Sequence, residues 1–566
     1  MDYRLRQDTE QKLQGEIGTV YALGRGHTSI ALVYPNTYYV GMSNLGFQTV
    51  YGFLNACDGV CCERAFLPDP DMLDRHKKTG TPLFSLESQT PLSEFDIIAF
   101  SVSFENDYLN ILSLLDLARF PLLAEDRDET CPLILLGGAI TTINPEPLAM
   151  FLDLVVLGEG EPILARLIEQ YQRDVATTDS KRELLEHLAV IPGVYVPSLY
   201  DIDNDHGGHS SSPPPTINAP QIFERCLLKN LDHHPAYSRI LTEQTEFGNM
   251  FLLQINRGCC YKCRFCHTGY TQSPLRHLSL DVALRLARHG LQYRNRIGLV
   301  GAAVADYPYL QELCAAISSQ GGKISVSSLR LSAFLQTDYL LNAMIEAGQK
   351  TVTMAPEAGT ERLRKILRKS LSDTTFFDTV AWTLNAQVQN LKLYFIIGLP
   401  TETEADLEAI VTMCKRCRQI LVDAAKARGT IGKLIVSVNP LVPKPFTPLQ
   451  WCAMETEAKL KRKLQYLKRA LQRLGNVEVI HETPKWAVWQ GILARGDRKL
   501  GQILLLAWRY NGNWKKAFRE LEMSPEFYVH RVRPLDEPFP WDHFNVGVSR
   551  QQLQHEYQGL FPKGSQ

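Results

Sequence analysis

Apolar runs alternate with polar breaks along most of the chain. Residues 30–34, 95–102, 132–138 and 152–161 are short stretches dominated by Val, Ile, Leu and Phe. Segments of helical spacing separate or follow them: 47–54, 108–119 and a stretch ending near Arg173. Runs this apolar read as strands buried on both faces, and their alternation with helices predicts a parallel sheet covered on both sides. Ligands of such sheets lie beyond the carboxyl ends of the strands. Asn36, Ser101, Ser103, Gly137, Gly138 and Glu159 stand at those ends. A second set of units begins near Met250, with apolar runs at 250–255, 297–303, 323–330, 351–356, 391–398 and 433–439. Amphipathic segments such as 360–369 and 402–420 fill the intervals. Six strand–helix units predict a curved, partly open relative of the (β/α)8 barrel, with function again at the carboxyl ends.

The pattern therefore predicts an α/β chain in five parts. An arm (1–28) leads into a Rossmann-like domain (29–195), a linker (196–247), a partial (β/α)6 barrel (248–445) and a mainly helical region (446–566). The linker holds an Asp-rich and then Gly-, Ser- and Pro-rich run that buries too little apolar surface to fold alone; His206 and His209 in it read as solvated. Beyond the barrel, four prolines between Pro440 and Pro448 enforce an extended segment. Residues 456–474 form a basic amphipathic helix carrying Lys459, Lys461, Arg462, Lys463, Lys468, Arg469 and Arg473. Such a face suits phosphate, nucleic acid or an acidic electron donor, and by default it is simply solvated.

Composition narrows the classes. With 60 Lys and Arg against 61 Asp and Glu, the net charge of −1 gives no global reason to expect nucleic acid. No apolar run approaches the ~18 residues of a membrane span. The polar start and thirteen cysteines without an export signal predict reduced thiols and a cytoplasmic location.

Cys259, Cys263 and Cys266 fall at spacings of four and three, directly after the strand at 250–255 and the break Asn256-Arg257-Gly258. Thiolates select iron–sulfur clusters, zinc or copper(I). A four-iron cluster held by protein alone needs four thiolates, so three leave one iron open for chemistry. A zinc knuckle would need Cys260 as fourth ligand, and no second Cys or His pair follows at zinc spacing. Cys260 reads instead as a packed thiol. Cys414 and Cys417 form a second CxxC, which reads as a helical pair of packed thiols rather than a redox site.

The run Cys259 to Cys266, with Phe265 at the aromatic position, resembles the CxxxCxΦC signature of the radical S-adenosylmethionine (SAM) enzymes. The region from Ser29 to Arg173 resembles the cobalamin-binding domain that precedes many of them, and the combination is similar to radical SAM proteins carrying such a domain. The resemblance implies a [4Fe-4S] cluster on Cys259, Cys263 and Cys266. It places SAM against Phe265, Gly301, Ala302, Ser327, Arg330, Glu357 and Gly398. Glu357 is expected to open a helix whose amino end favours anions. The usual acidic residue after the second barrel strand is missing, and Asp306 lies just beyond as a substitute. It also allows cobalamin at Asn36, Ser101, Ser103, Gly137, Gly138 and Glu159. The cobalt-ligating Asp-x-His-x-x-Gly is absent, however, and Asn36-Thr37-Tyr38-Tyr39-Val40-Gly41 stands in its place. A flavodoxin or ferredoxin is the implied electron donor. The expected reaction is reductive SAM cleavage and hydrogen abstraction from a substrate the sequence does not name, with methyl transfer if cobalamin binds. The alternatives are a cluster protein that senses redox state without cleaving SAM, and an RNA- or protein-modifying enzyme without cobalamin.

Overall fold

A computed structural model describes residues 2–21, 28–200, 220–326 and 338–561. The chain divides into two compact units. The first is Met1–Asn249 with Ile492–Pro525 and Asp536–Gly547; the second is Met250–Gly491 with Glu526–Leu535 and Val548–Gln566.

The first unit is built on six strands: β1 (Thr28–Tyr34), β2 (Val60–Phe66), β3 (Ile97–Ser101), β4 (Leu133–Gly137), β5 (Leu154–Val156) and β6 (Val194–Tyr195). Their order is β2-β1-β3-β4-β5-β6, parallel except for β6. β1, β3, β4 and β5 are the apolar runs read from the sequence. They are almost wholly buried, because helices such as Leu45–Leu54, Tyr108–Leu117 and Glu161–Asp174 cover the sheet. The order reverses between β1 and β3, which makes that gap the topological switch point.

β2 escapes the apolar pattern because Glu63 and Arg64 interrupt it. Arg64 is fully buried and paired twice. Its Nε donates to Glu87 at 2.7 Å, and its Nη1 and Nη2 donate to Glu16 at 2.8 and 2.7 Å. The Tyr38 hydroxyl adds a third bond to Glu16 at 2.6 Å. The charges become part of the interior only because each is met by a partner.

A second buried network ties the late segments to this sheet. Glu146 accepts from Tyr195 at 2.6 Å, from Arg498 at 2.6 Å and contacts His543 at 3.2 Å. Asn144 donates to the Gly496 carbonyl at 2.7 Å. Phe223–Glu224 (β7) pairs in parallel with Phe544–Asn545. The described part of the expected linker is therefore packed, with Phe223, Leu228, Leu231 and Ile240 all buried.

The second unit contains β8 (Phe251–Gln254), β9 (Asn256–Arg257), β10 (Arg276–His277), β11 (Arg296–Val300), β12 (Lys323–Val326), β13 (Thr351–Glu357), β14 (Asn390–Ile397), β15 (Leu434–Pro440) and β16 (Val477–His481). Among the described residues they make a parallel sheet β12-β11-β8, a parallel sheet β13-β14-β15-β16 and the antiparallel ribbon β9/β10. β14 alternates buried and half-buried positions, so one face is packed and the other is partly open. Helices Glu404–Arg428 and Glu457–Gln472 pack outside, the latter burying Leu460, Leu464, Leu467 and Leu471. The two parallel sheets together hold seven strands, the six of the barrel pattern and β16.

Two stability tests follow from the buried charges. Arg64→Met leaves two carboxylates without their cation and should cost about 3–5 kcal/mol, read as a lower unfolding midpoint than that of Glu87→Gln. Burial alone would raise the Glu146 carboxyl, but Arg498, His543 and Tyr195 hold it at about 2. A depressed carboxyl stabilises the fold above its unfolded pKa. That contribution should fade as pH falls from about 4.5 toward 2, and in Glu146→Gln the unfolding midpoint should change less with pH over this window.

Candidate active site: the cysteine loop

The three cysteines sit on a loop whose base is closed by β9 pairing with β10. Gly258 opens it with φ +85°, and a Cβ there would stand 2.1 Å from the Gln272 carbonyl oxygen and 2.6 Å from that of Pro274. Both conformation and space demand glycine. Asn256, fully buried, donates to the Ala303 carbonyl at 2.7 Å and so ties the loop to the end of β11. Gly301 leaves room for that carboxamide, since its Cβ would lie 2.1 Å from Asn256 Oδ1. The Cys266 N–H donates to the Cys263 carbonyl at 2.9 Å and begins the short helix His267–Thr271.

The outer side of the loop is anchored as firmly. Arg264 donates its backbone N–H to Leu367 at 3.0 Å, Nη1 to the Ile366 carbonyl at 2.7 Å and Nε to Glu556 at 3.0 Å. Phe265 packs against a buried cluster that includes Ala358, Leu399 and Leu441. These three residues follow β13, β14 and β15 within two positions, so the loop lies at the carboxyl-end mouth of that sheet. Leu449 and Cys452 belong to the same cluster, which makes the proline-rich segment part of the packing beneath Phe265.

Cys259 is buried, and Cys263 and Cys266 are half-buried. Burial pushes the Cys259 thiol up to about 11; a backbone N–H from Tyr261 opposes the rise, and Cys266, Cys260 and Cys263 add to it. Binding a metal there would displace that proton. Among the described residues no three His, Cys, Asp or Glu side chains are grouped for a single metal ion. A cubane makes no such demand, because each thiolate takes its own iron, and three soft sulfurs on one loop fit that chemistry. Cys260 is exposed, which corrects the expectation of a packed thiol: adjacent residues of an extended loop point to opposite sides. Cys414 and Cys417 are fully buried in Glu404–Arg428, with thiols pushed up by burial.

The expected SAM contacts separate into several groups. Ser327 and Arg330 lie outside the described residues. Phe265 and Gly301 belong to the loop's own support, and Ala302 is exposed just beyond β11. Glu357 does not open a helix. It ends β13 beyond a register shift, at φ +67°, and the next helix starts at Glu361 with Thr360 as its cap. Its carboxylate pairs with Lys369 at 2.6 Å; burial raises its pKa and Lys369 opposes the rise. A strained non-glycine residue at a strand end is a frequent mark of a functional position. Gly398 has φ +76°, and its N–H is shared between both oxygens of Glu402, at 3.1 and 3.2 Å. Asp306 accepts from the Tyr261 hydroxyl of the cysteine loop through Oδ1. Its Oδ2 is buried and has no hydrogen-bond partner, and the same holds for His277 Nδ1. Asn256, Tyr261 and His277 were not read as site residues. The one signal available was their position beside the cysteines and across a two-residue ribbon.

In the first unit the expected cobalamin contacts bond to their own chain. At the switch point Asn36 donates to Asp107 at 2.9 Å, and Asn44 donates to Ser103 at 3.0 Å. Burial raises the Asp107 carboxyl to about 6 despite Asn36. Glu159 accepts from the Leu228 N–H at 2.7 Å. Gly137 and Ser101 are the half-buried last residues of β4 and β3. Gly138, at φ +99°, sits where a Cβ would meet the Val102 carbonyl oxygen at 2.4 Å. Tyr38 holds the place of the cobalt-ligating His and is turned inward to Glu16, 3% exposed. Tyr39, Val40 and Phe104 leave an exposed apolar rim at the same strand ends. Tyr38 therefore presents no side chain to a metal beyond these strand ends.

Two family models match the chain. Residues 46–197 match the N-terminal domain of radical SAM proteins, and residues 253–414 match the radical SAM superfamily. Over 480 residues, 84% of this chain and 90% of the relative, the sequence is 28% identical to an uncharacterised protein of Methanocaldococcus jannaschii. A stretch of 306 residues, 50% of this chain and 58% of the relative, is 23% identical to an uncharacterised methyltransferase of Pyrococcus horikoshii. Among solved structures, the cobalamin-dependent S-adenosylmethionine radical enzyme OxsB, with aqua-cobalamin and S-adenosylmethionine bound, matches with TM-score 0.48 at 13% identity, covering 94% of this chain and 79% of that one. No described helix is long and apolar enough to cross a membrane. A cysteine loop held at a parallel-sheet mouth falls inside the core match, behind a matched N-terminal domain, and the chain belongs to the radical SAM superfamily.

Proposed function

We propose that the chain cleaves SAM reductively at the Cys259–Cys266 loop and abstracts hydrogen from a substrate. The observation that carries this reading is the seating of the loop: Phe265 packs on residues just beyond the ends of three parallel strands. Cys259, Cys263 and Cys266 would hold a [4Fe-4S] cluster, which supplies the electron that breaks the sulfonium C–S bond to give methionine and a 5′-deoxyadenosyl radical. The chain's own residues bind and shield. Asp306 Oδ2, buried and unbonded beside Tyr261, is the acceptor offered to the methionyl ammonium. The Glu357–Lys369 pair sets a fixed dipole at the end of β13. The apolar cluster under Phe265 keeps water from the radical. A flavodoxin or ferredoxin is the reductant this chemistry requires.

A second reading adds a corrinoid in the first unit and makes methyl transfer the outcome. The strand order with its switch point and the name of the P. horikoshii relative support it. An absorption spectrum of anaerobically purified protein, with and without added cobalamin, decides it.

Anaerobic protein with SAM and dithionite should yield 5′-deoxyadenosine. A fully clustered sample that yields none overturns the proposal. Ala at Cys259, Cys263 or Cys266 should abolish the iron–sulfur absorption, while Cys260→Ala and Cys414→Ala retain it. Asp306→Asn should keep the cluster but weaken SAM binding about tenfold to a hundredfold, the worth of a charged hydrogen bond. SAM titration of the cluster's paramagnetic spectrum reads the change.

A further inference from the structure

The outward face of helix Glu457–Gln472 is charged with one sign. Lys459, Arg462, Tyr466, Arg469 and Arg473 are all exposed and follow each other at steps of three, four, three and four. That spacing puts them in one row along the helix, about 21 Å from first to last at 1.5 Å per residue. The row lies opposite the buried Leu460, Leu464, Leu467 and Leu471 and contains no carboxylate. Glu457, the helix's one acid, is paired with Lys461 off the row. Arg418 of the neighbouring helix reaches the far end, where its Nε donates to the Gly475 carbonyl at 2.7 Å. A face that is merely solvated usually mixes signs, because like charges along a helix repel. The whole chain is nearly neutral, so this row is a local field and not a consequence of overall charge.

The helix that carries the row packs its buried side toward the residues that support the cysteine loop. Gly398 lies against Leu460, with 3.1 Å between its built Cβ and the Leu460 methyl. Lys463 bonds Glu402, the acceptor of the Gly398 N–H, and Glu455 at 2.6 Å. The next residue, Leu399, belongs to the cluster on which Phe265 packs, and Phe265 precedes Cys266.

The geometry points to this row as the docking face for an acidic one-electron carrier, with the electron entering the metal centre of the cysteine loop past Leu399 and Phe265. This rests on the proposed radical chemistry. In the step the reduced carrier loses one electron and the cluster gains it; no bond forms or breaks and no proton moves. Steering by such a row is strongest at low salt, since the Debye length falls from about 30 Å at 0.01 M to about 10 Å at 0.1 M. A nucleic acid fits less well: the row is one helix wide and offers a single aromatic, Tyr466, for stacking.

The test uses the full-length, anaerobically reconstituted protein and its K459E/R462E/R469E variant, with a purified acidic flavodoxin as carrier. In the wild type, carrier-driven 5′-deoxyadenosine formation should slow as salt rises. The variant should lose about tenfold in carrier-driven rate and in carrier binding by fluorescence anisotropy, with dithionite-driven rates equal in both. Equal carrier-driven rates and equal binding would overturn the docking face. If dithionite yields no product from either protein, the radical reading fails, and the anisotropy comparison alone decides the face. Binding of a labelled oligo-U RNA through the row, with no binding of flavodoxin, overturns the carrier in favour of nucleic acid.

Discussion

The chemistry at the mouth of the second unit depends on one buried amide. Asn256 holds the cysteine loop to the end of β11 by bonding Ala303, and Gly301 exists in the form it does to make room for it. A carboxamide with no exposure to water loses about 1–3 kcal/mol if its partner goes, so the bond is kept and the loop's base with it. The ribbon β9/β10 and Gly258 then leave the thiols little freedom. A loop restrained in this way has already met much of the ordering cost that the proposed cluster would otherwise impose.

The outer rim uses different physics. Phe265 buries its ring on residues from the ends of three strands, a contribution of about 1.5–3 kcal/mol if fully buried. Arg264 meanwhile holds the loop's backbone to Leu367 and its side chain to Ile366 and Glu556. The tail around Glu556 therefore serves the site although it lies nearly 300 residues away in sequence. Polar ties on both sides and apolar packing under Phe265 restrain the loop along two directions.

The first unit invests in buried charge. Arg64 pairs with Glu16 and Glu87, and Arg498 with Glu146, and each arginine lies over a tyrosine ring, Tyr51 and Tyr195 respectively. Such groups add little net stability over an apolar filling, yet removing one partner is costly. They join segments distant in sequence: residue 16 to residue 64, and residue 146 to residue 498.

What could be read from residue order alone was whatever rests on local repetition. Apolar runs alternating with amphipathic segments predicted β1, β3, β4 and β5 and, in the second unit, β8, β11, β12, β13, β14 and β15, because burial leaves its mark position by position. The cysteine spacing and Phe265 marked the cysteine loop for the same reason: its three spaced cysteines lie within eight residues. The rest needed the folded chain. β2 was hidden because its charges are neutralised by residues 48 and 23 positions away. Glu357 was expected on a helix, and a register shift in β13 put it at a strand end facing Lys369. Cys260, Asn256 and Asp306 took their roles from which neighbour reached them first. Periodicity is written in adjacent residues, but pairing is a matter of distance in space, and only tertiary structure sets that.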